Sequence, residues 1–194
     1  YAVELLSTND MKIIKKKSSE LFLLNNKRRE IETKIIDNID LDEIKKKNEP
    51  VIVYYEQNIN EGLIGIIASR LKDYFNKPTI VITNSNNLLK ASARSVYNYN
   101  IGRVIKNLLD KDIVITGGGH SMAGGFSLKK ENLSKLKSFI IDDFSKKKIF
   151  NNLFNSFDAE ISPTAFKKDF FNEIKKIEPF GSGNPEPTFL IKEL

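Results

Sequence analysis

The chain has 194 residues, 40% of them hydrophobic and 29% charged, enough to bury one or two small cores and too apolar for a disordered segment. It holds no cysteine and a single histidine, His120, which excludes disulfides, thiolate metal sites, cysteine catalysis and any multi-histidine centre, and which fits a reducing compartment. A net charge of +6 and a pI near 9.3 suit a phosphate-bearing partner, but lysines spread among isoleucines and asparagines describe a solvated surface better, so charge alone names no ligand.

In chain order, Tyr1 to Leu6 predicts a short buried strand without the basic-then-apolar layout of a signal peptide, and Ser7 to Asp10 offers capping oxygens for the next element. Ile14, Leu21, Leu24, Ile31 and Ile35 recur at spacings of seven, three, seven and four, which predicts one long amphipathic helix from Met11 to Ile36. Asn38 to Pro50 is polar and lysine-rich and reads as a linker. Strands are then expected at Val51–Tyr55, Pro78–Thr83, Lys90–Val96, Ile113–Thr116 and Gly125–Leu128, with helices at Gly62–Phe75, Ile101–Leu109 and Leu133–Phe144. This alternation predicts an α/β domain of about 100 residues. Farther on come a helix near Pro163–Ile177 and a rigid turn at Pro179–Pro187, where two glycines permit positive φ and three prolines lock φ at negative values. No run approaches the roughly 20 apolar residues of a membrane span, and no internal repeat is present. The start at Tyr1, and an end on Thr188 to Ile191 that reads as the first strand of something unfinished, lead us to expect a piece of a longer protein.

Two segments carry chemistry. In Lys90-Ala91-Ser92-Ala93-Arg94-Ser95 the alternation of a strand puts Lys90, Ser92 and Arg94 on one face, so an ammonium, a hydroxyl and a guanidinium stand in a row. Such donors fit a phosphate; an exposed polar strand face accounts for them equally well. In Gly117-Gly118-Gly119-His120, at the end of a strand, glycines would let a ligand approach and turn amide N–H groups toward an anion, to which the imidazole of His120 could also donate. Neither a Walker loop nor the dinucleotide fingerprint fits the spacing that follows. The paired acids Asp40/Asp42 and Asp142/Asp143 read as solvated helix positions, so no metal site is expected within the chain.

These segments, with Gly62 to Leu71 before them and Pro179-Phe180-Gly181-Ser182-Gly183-Asn184-Pro185-Glu186-Pro187 after them, resemble the RecJ family of bacterial single-stranded-DNA-specific exonucleases in the DHH phosphoesterase superfamily. The last motif is the most specific. The resemblance implies a small mixed-sheet DHH-associated domain over 48–150, preceded by the end of the DHH domain (1–10) and a connector helix with linker (11–47). It is followed by a helix and the start of an oligonucleotide-binding-fold domain (151–194). It further implies 5′→3′ hydrolysis of single-stranded DNA in repair and recombination, in the cytoplasm, by a monomer, with manganese or magnesium bound by the absent DHH domain. Carried over residue by residue, Lys90, Ser92, Arg94, Gly118, Gly119 and His120 bind substrate, and His120 stabilises charge at the scissile phosphate. Without its metal domain the fragment is expected to be inactive. The pattern departs at Ile59-Asn60, where the family shows Trp-His, and in a minor way at Gly124, where alanine is usual. A short-oligonucleotide or cyclic-dinucleotide phosphodiesterase of the same superfamily, and a non-catalytic nucleic-acid-binding module, are the alternative readings.

Overall fold

The computed structural model describes residues 1–147, 157–181 and 183–192. Contacts divide the chain into two compact units, Tyr1–Ile149 and Phe150–Leu194. The expected boundary at 150/151, Ser182 of the Pro179–Pro187 turn and Leu194 all lie outside the described residues.

The first unit opens not on the expected strand but on helix α1 (Ala2–Ser7). No neighbouring strand supplies hydrogen bonds there, so the backbone closes on itself, with Leu5 N–H donating to the Tyr1 carbonyl at 3.0 Å, while Glu4 pairs with Lys17 of the next helix at 3.2 Å. That helix, α2 (Met11–Asp37), starts where Asp10 accepts from the Lys12 N–H, as the capping residues predict.

The expected linker contains a further helix, α3 (Leu41–Lys47). Its polar composition conceals a complete set of helix signals. Asp40 caps the Glu43 N–H, Asp42 and Glu43 occupy the positive first turn, Lys45 to Lys47 the negative last turn, and Leu41 and Ile44 pack inward.

A five-stranded mixed sheet follows, in the order β1 (Ile52–Tyr55), β2 (Thr79–Ser85), β3 (Leu88–Arg94), β5 (Ala123–Leu128), β4 (Thr116–Gly119). β1 and β2 are parallel, as the intervening helix α4 (Ile64–Phe75) requires, and the other pairs are antiparallel. β2 is buried on both faces and reads accordingly as a continuous apolar run, Ile80-Val81-Ile82. One face packs Ile80, Ile82, Leu89, Ala91, Ala93 and Phe126 on helices α5 (Ile101–Asp110) and α6 (Leu133–Lys146). The other packs Val81 on Ile64, Ile67, Ala68 and Leu71 of α4, with Ile35, Ile36 and Ile39 from the end of α2 beyond.

The strand bounds differ from expectation: β2 runs on to Ser85, β5 begins at Ala123, β3 spans Leu88–Arg94, and β4 is shifted toward the glycines. β3 ends at Arg94 rather than Val96: Ser95 N–H still donates to the Met122 carbonyl opposite it at 2.8 Å, but Val96 enters a turn in which its carbonyl accepts from Tyr99 N–H at 3.2 Å. The strand expected at Ile113–Thr116 begins only at Thr116. Ile113 and Val114 N–H groups return to the Leu108 carbonyl at the end of α5, and Val114 is buried against the helices, so pairing starts later and takes in the glycines.

In the second unit, β6 (Ala159–Ile161) pairs in parallel with β7 (Phe189–Ile191), so the expected final strand is already paired. The helix expected over Pro163–Ile177 is a short 3-10 turn, Pro163–Ala165, and then α7 (Lys168–Lys175). Phe170 lies edge-on to Phe189 with centroids 5.0 Å apart. The Pro179–Pro187 turn is fixed by Asn184, whose side-chain amide donates to the Ile177 and Pro179 carbonyls at 2.8 and 3.0 Å. Only Gly183 there has positive φ, at 84°; Gly181 does not use that freedom.

Candidate nucleic-acid interface

The alternation expected of β3 holds. Leu89, Ala91 and Ala93 enter the core, while Lys90, Ser92 and Arg94 project on the α4 face. The register then extends these positions across three strands. Ser92 stands opposite Gly125, which stands opposite Gly118. Arg94 stands opposite Ala123, whose carbonyl accepts the His120 N–H at 2.7 Å. Lys90 stands opposite Ser127, and Ser127 opposite Thr116. The two sequence motifs thus become adjacent rows on one face, with the outer members of a row two strand spacings, about 10 Å, apart.

Helix α4 covers β2 and β3 on this face, whereas α5 covers β4 and β5 from the opposite one. The Gly125–Gly118 rows therefore form a bare shelf beside the wall of α4. A β-carbon built on Gly118 meets nothing within 4 Å.

Gly117, Gly119 and Gly124 serve another purpose. Added β-carbons there would strike Phe126 Cβ at 2.7 Å, the Ala123 carbonyl oxygen at 2.4 Å and Ile105 Cδ1 at 2.4 Å, respectively. These glycines let the hairpin and α5 close on each other. The expected cradle of N–H groups at the end of a strand is instead an extended edge strand in which Gly117–Gly119 take no positive φ. His120 is exposed at the hairpin tip and anchored through its backbone, its carbonyl accepting from Gly102 N–H at 3.0 Å.

Arg94 is the best-defined element of the face. Its Nε donates to Ser69 Oγ of α4 at 3.2 Å, and one terminal nitrogen donates to Ser92 Oγ at 3.2 Å and to the Ala93 carbonyl at 2.9 Å. Among the described residues it has no carboxylate within ion-pair distance. The guanidinium forms one side of an open depression of about 430 Å³ whose other walls are Gly62, Gly65, Ser69, Arg70 and Asp73. Gly65 is the reason it fits: a β-carbon there would lie 3.0 Å from Arg94 Nη2 and 3.2 Å from Ser92 Oγ. Lys90 differs, being paired with Glu61 at 2.7 Å. That ammonium, with the Ser85 hydroxyl, holds the Glu61 carboxyl below its ordinary range.

Sequence reasoning missed Gly65, Ser69 and Arg70. Two signals were available: the segment Gly62 to Leu71 carries part of the family resemblance, and a glycine within a largely apolar helix costs helix stability unless something must come close. Ile59 and Asn60 have local roles: Ile59 is buried with its carbonyl accepting from Thr83 Oγ1 at 2.8 Å, and Asn60 Oδ1 accepts from Gly62 N–H at 2.9 Å.

Asp40 caps α3, while Asp142 and Asp143 pair with Lys146 and Lys147 one turn on. No group of three or more potential metal ligands occurs among the described residues. No helix among those described is long and apolar enough to cross a membrane.

The DHHA1 domain family matches residues 48–146 and the RecJ OB domain family residues 157–194. Among curated relatives, the single-stranded-DNA-specific exonuclease RecJ of Haemophilus influenzae is 28% identical over 96% of this chain, and that of Bacillus subtilis 30% over 98%. The chain spans only 34% and 25% of their respective lengths. In fold it is similar to Thermus thermophilus RecJ in complex with Mg2+, with a TM-score of 0.75 at 24% identity, covering 97% of this chain and 29% of that one. The same protein in complex with Mn2+ gives 0.74 at 22% identity, covering 95% and 27%. A DHHA1 domain followed by RecJ OB sequence, on a fold shared with RecJ along almost its whole length, means that the chain belongs to the RecJ family.

Proposed function

We propose that this chain is the substrate-holding portion of a metal-dependent 5′→3′ single-stranded-DNA exonuclease of DNA repair and recombination. The carrying observation is Arg94. A guanidinium placed by two serine hydroxyls and a carbonyl, without a carboxylate, keeps a net positive charge facing an open depression, which is what a phosphate requires and what a structural ion pair would cancel.

In this reading Ser92 and Arg94 hold a backbone phosphate, and the shelf at Gly118 admits the strand. His120, one row over, donates to the oxygen on which charge grows during hydrolysis. Lys90, engaged by Glu61, contributes mainly to the surrounding field. The divalent ion and its activated water belong to sequence outside this chain, so the chain alone is inactive. Residues 1–10 and 11–47 are the end of the DHH domain and its connector.

The test is a salt titration of single-stranded DNA binding by the whole protein. Arg94→Ala should weaken affinity irrespective of sequence and lower the slope of log K against log salt by about 1. An unchanged slope would return Arg94 to a structural role.

A further inference from the structure

We propose that Tyr97 is a stacking platform for a nucleobase of the bound strand, an inference that rests on the single-stranded-DNA reading above. Tyr97 is 82% exposed in the segment joining β3 to α5, three residues beyond Arg94. The Tyr97 ring faces water, whereas the neighbouring Tyr99 is buried in the core at 1% exposure.

The segment is pinned at both ends to the hairpin that carries His120. Ser95 N–H donates to the Met122 carbonyl at 2.8 Å and Ile101 N–H to the Ser121 carbonyl at 3.0 Å. Inside it, Ser95 Oγ donates to the Tyr99 carbonyl at 2.5 Å, Tyr99 N–H donates to the Val96 carbonyl at 3.2 Å, and Asn98 takes positive φ at 67°. The ring is thus displayed on an ordered backbone, which lowers the ordering cost of a contact.

Tyr97 and the half-exposed Met122 border an open, mainly apolar hollow of about 330 Å³, with Asn98 and Ser121 on its rim. Exposed Arg103, in the first turn of α5, adds positive charge nearby. The hollow offers a flat apolar surface bordered by amide and hydroxyl groups. That combination recognises a base by its face rather than by its edge, so it tolerates any sequence.

In the whole protein, Tyr97→Ala should weaken single-stranded DNA binding about 5- to 100-fold, the range of a lost stacked base, while the salt slope and the melting temperature stay as in wild type. Tyr97→Phe should bind as wild type does, and Tyr97→Leu should resemble Tyr97→Ala. The chain has no tryptophan, so Tyr97→Trp adds a reporter whose fluorescence a stacked base should quench on addition of oligo-dT beyond any change in Tyr97→Phe. That reading decides the matter even if Tyr97→Ala fails to fold. Wild-type affinity in Tyr97→Ala, full binding by Tyr97→Leu, or an unquenched tryptophan in DNA-saturated protein would overturn the platform. If Arg94→Ala still weakens binding in that case, the DNA site stands without it. If neither variant matters, both readings fall.

Discussion

At the scale of single residues, the glycines of this face divide by what a methyl group would meet. Gly65→Ala replaces a glycine in the first turn of α4, a change that favours the helix by less than the ~1 kcal/mol of an interior position, yet sets a carbon 3.0 Å from Arg94 Nη2 and 3.2 Å from Ser92 Oγ. The expected result is a protein at least as stable as wild type that binds single-stranded DNA less well, a combination that general destabilisation cannot produce. Gly118→Ala should fold normally and lose only binding, since its β-carbon enters open space on the shelf. Gly119→Ala should instead lose stability by about 1–3 kcal/mol, because the methyl would lie 2.4 Å from a backbone carbonyl that cannot move without opening the hairpin. Thermal melts alongside DNA titrations of the three variants check this ordering. Equal effects in all three would contradict the division between shelf and hairpin.

At the scale of elements, one buried carboxylate ties the long helix to the site. Glu32 of α2, 6% exposed, accepts from Arg28 at 2.8 Å and from Arg70 of α4 at 3.0 Å. The arginines keep much of their hydration, so the loss on Glu32→Gln should be modest, about 1–2 kcal/mol in a urea melt, and Arg70→Ala should recover little of it. Larger coupling would mean that α2 and α4 depend on this contact rather than on Ile35, Ile36 and Ile39. Arg28 stands one turn before Glu32, but no repetition in the sequence points to the tie between helices, because the partner on α4 lies 38 residues away. α5, which buries the stripe Ile101, Val104, Ile105 and Leu108, was legible from its periodicity, β2 from its continuous apolar run, and α2 in its extent, although Leu24 and Ile31 of its expected stripe are exposed. Elements that depend on neighbours were not. The apolar start became a helix for lack of a strand partner, α3 was concealed by its lysines, and β4 was displaced toward the glycines by the bonds from Ile113 and Val114 back to α5. The site shows the same division. Alternation alone put Lys90, Ser92 and Arg94 together, whereas the convergence of Gly118 and His120 with them required the β3–β5–β4 register, and Ser69 required the packing of α4.

Across the first unit the two faces of the sheet differ: one is sealed by α5 and α6, and the other is covered by α4 over β2 and β3 only. What fixes the binding loop is held on the sealed side, at Tyr99. Its ring packs edge-on to Phe144 of α6 with centroids 4.9 Å apart, and the Lys147 ammonium lies 4.6 Å from the ring centre while pairing with Asp143 at 2.6 Å. Burial first, and then the adjacent Asp143 carboxylate, push the Tyr99 phenol far above its ordinary value near 10. In the unfolded chain that phenol ionises near pH 10, whereas in the folded chain it keeps its proton. A group with a raised folded pKa gives its full stability below the unfolded value and loses it as the pH climbs toward the folded value, because above about pH 10 the unfolded state binds fewer protons. Wild-type stability should therefore fall between about pH 9.5 and 11 with a contribution from Tyr99 approaching ~1.4 kcal/mol per pH unit. Tyr99→Phe should remove that contribution and leave the shallower decline due to other groups, Tyr54 among them, whose phenol is also raised by burial. Urea melts of both proteins across this interval decide the point. Parallel curves would mean that Tyr99 ionises without unfolding the chain, and that the loop bearing Tyr97 is not anchored through this phenol.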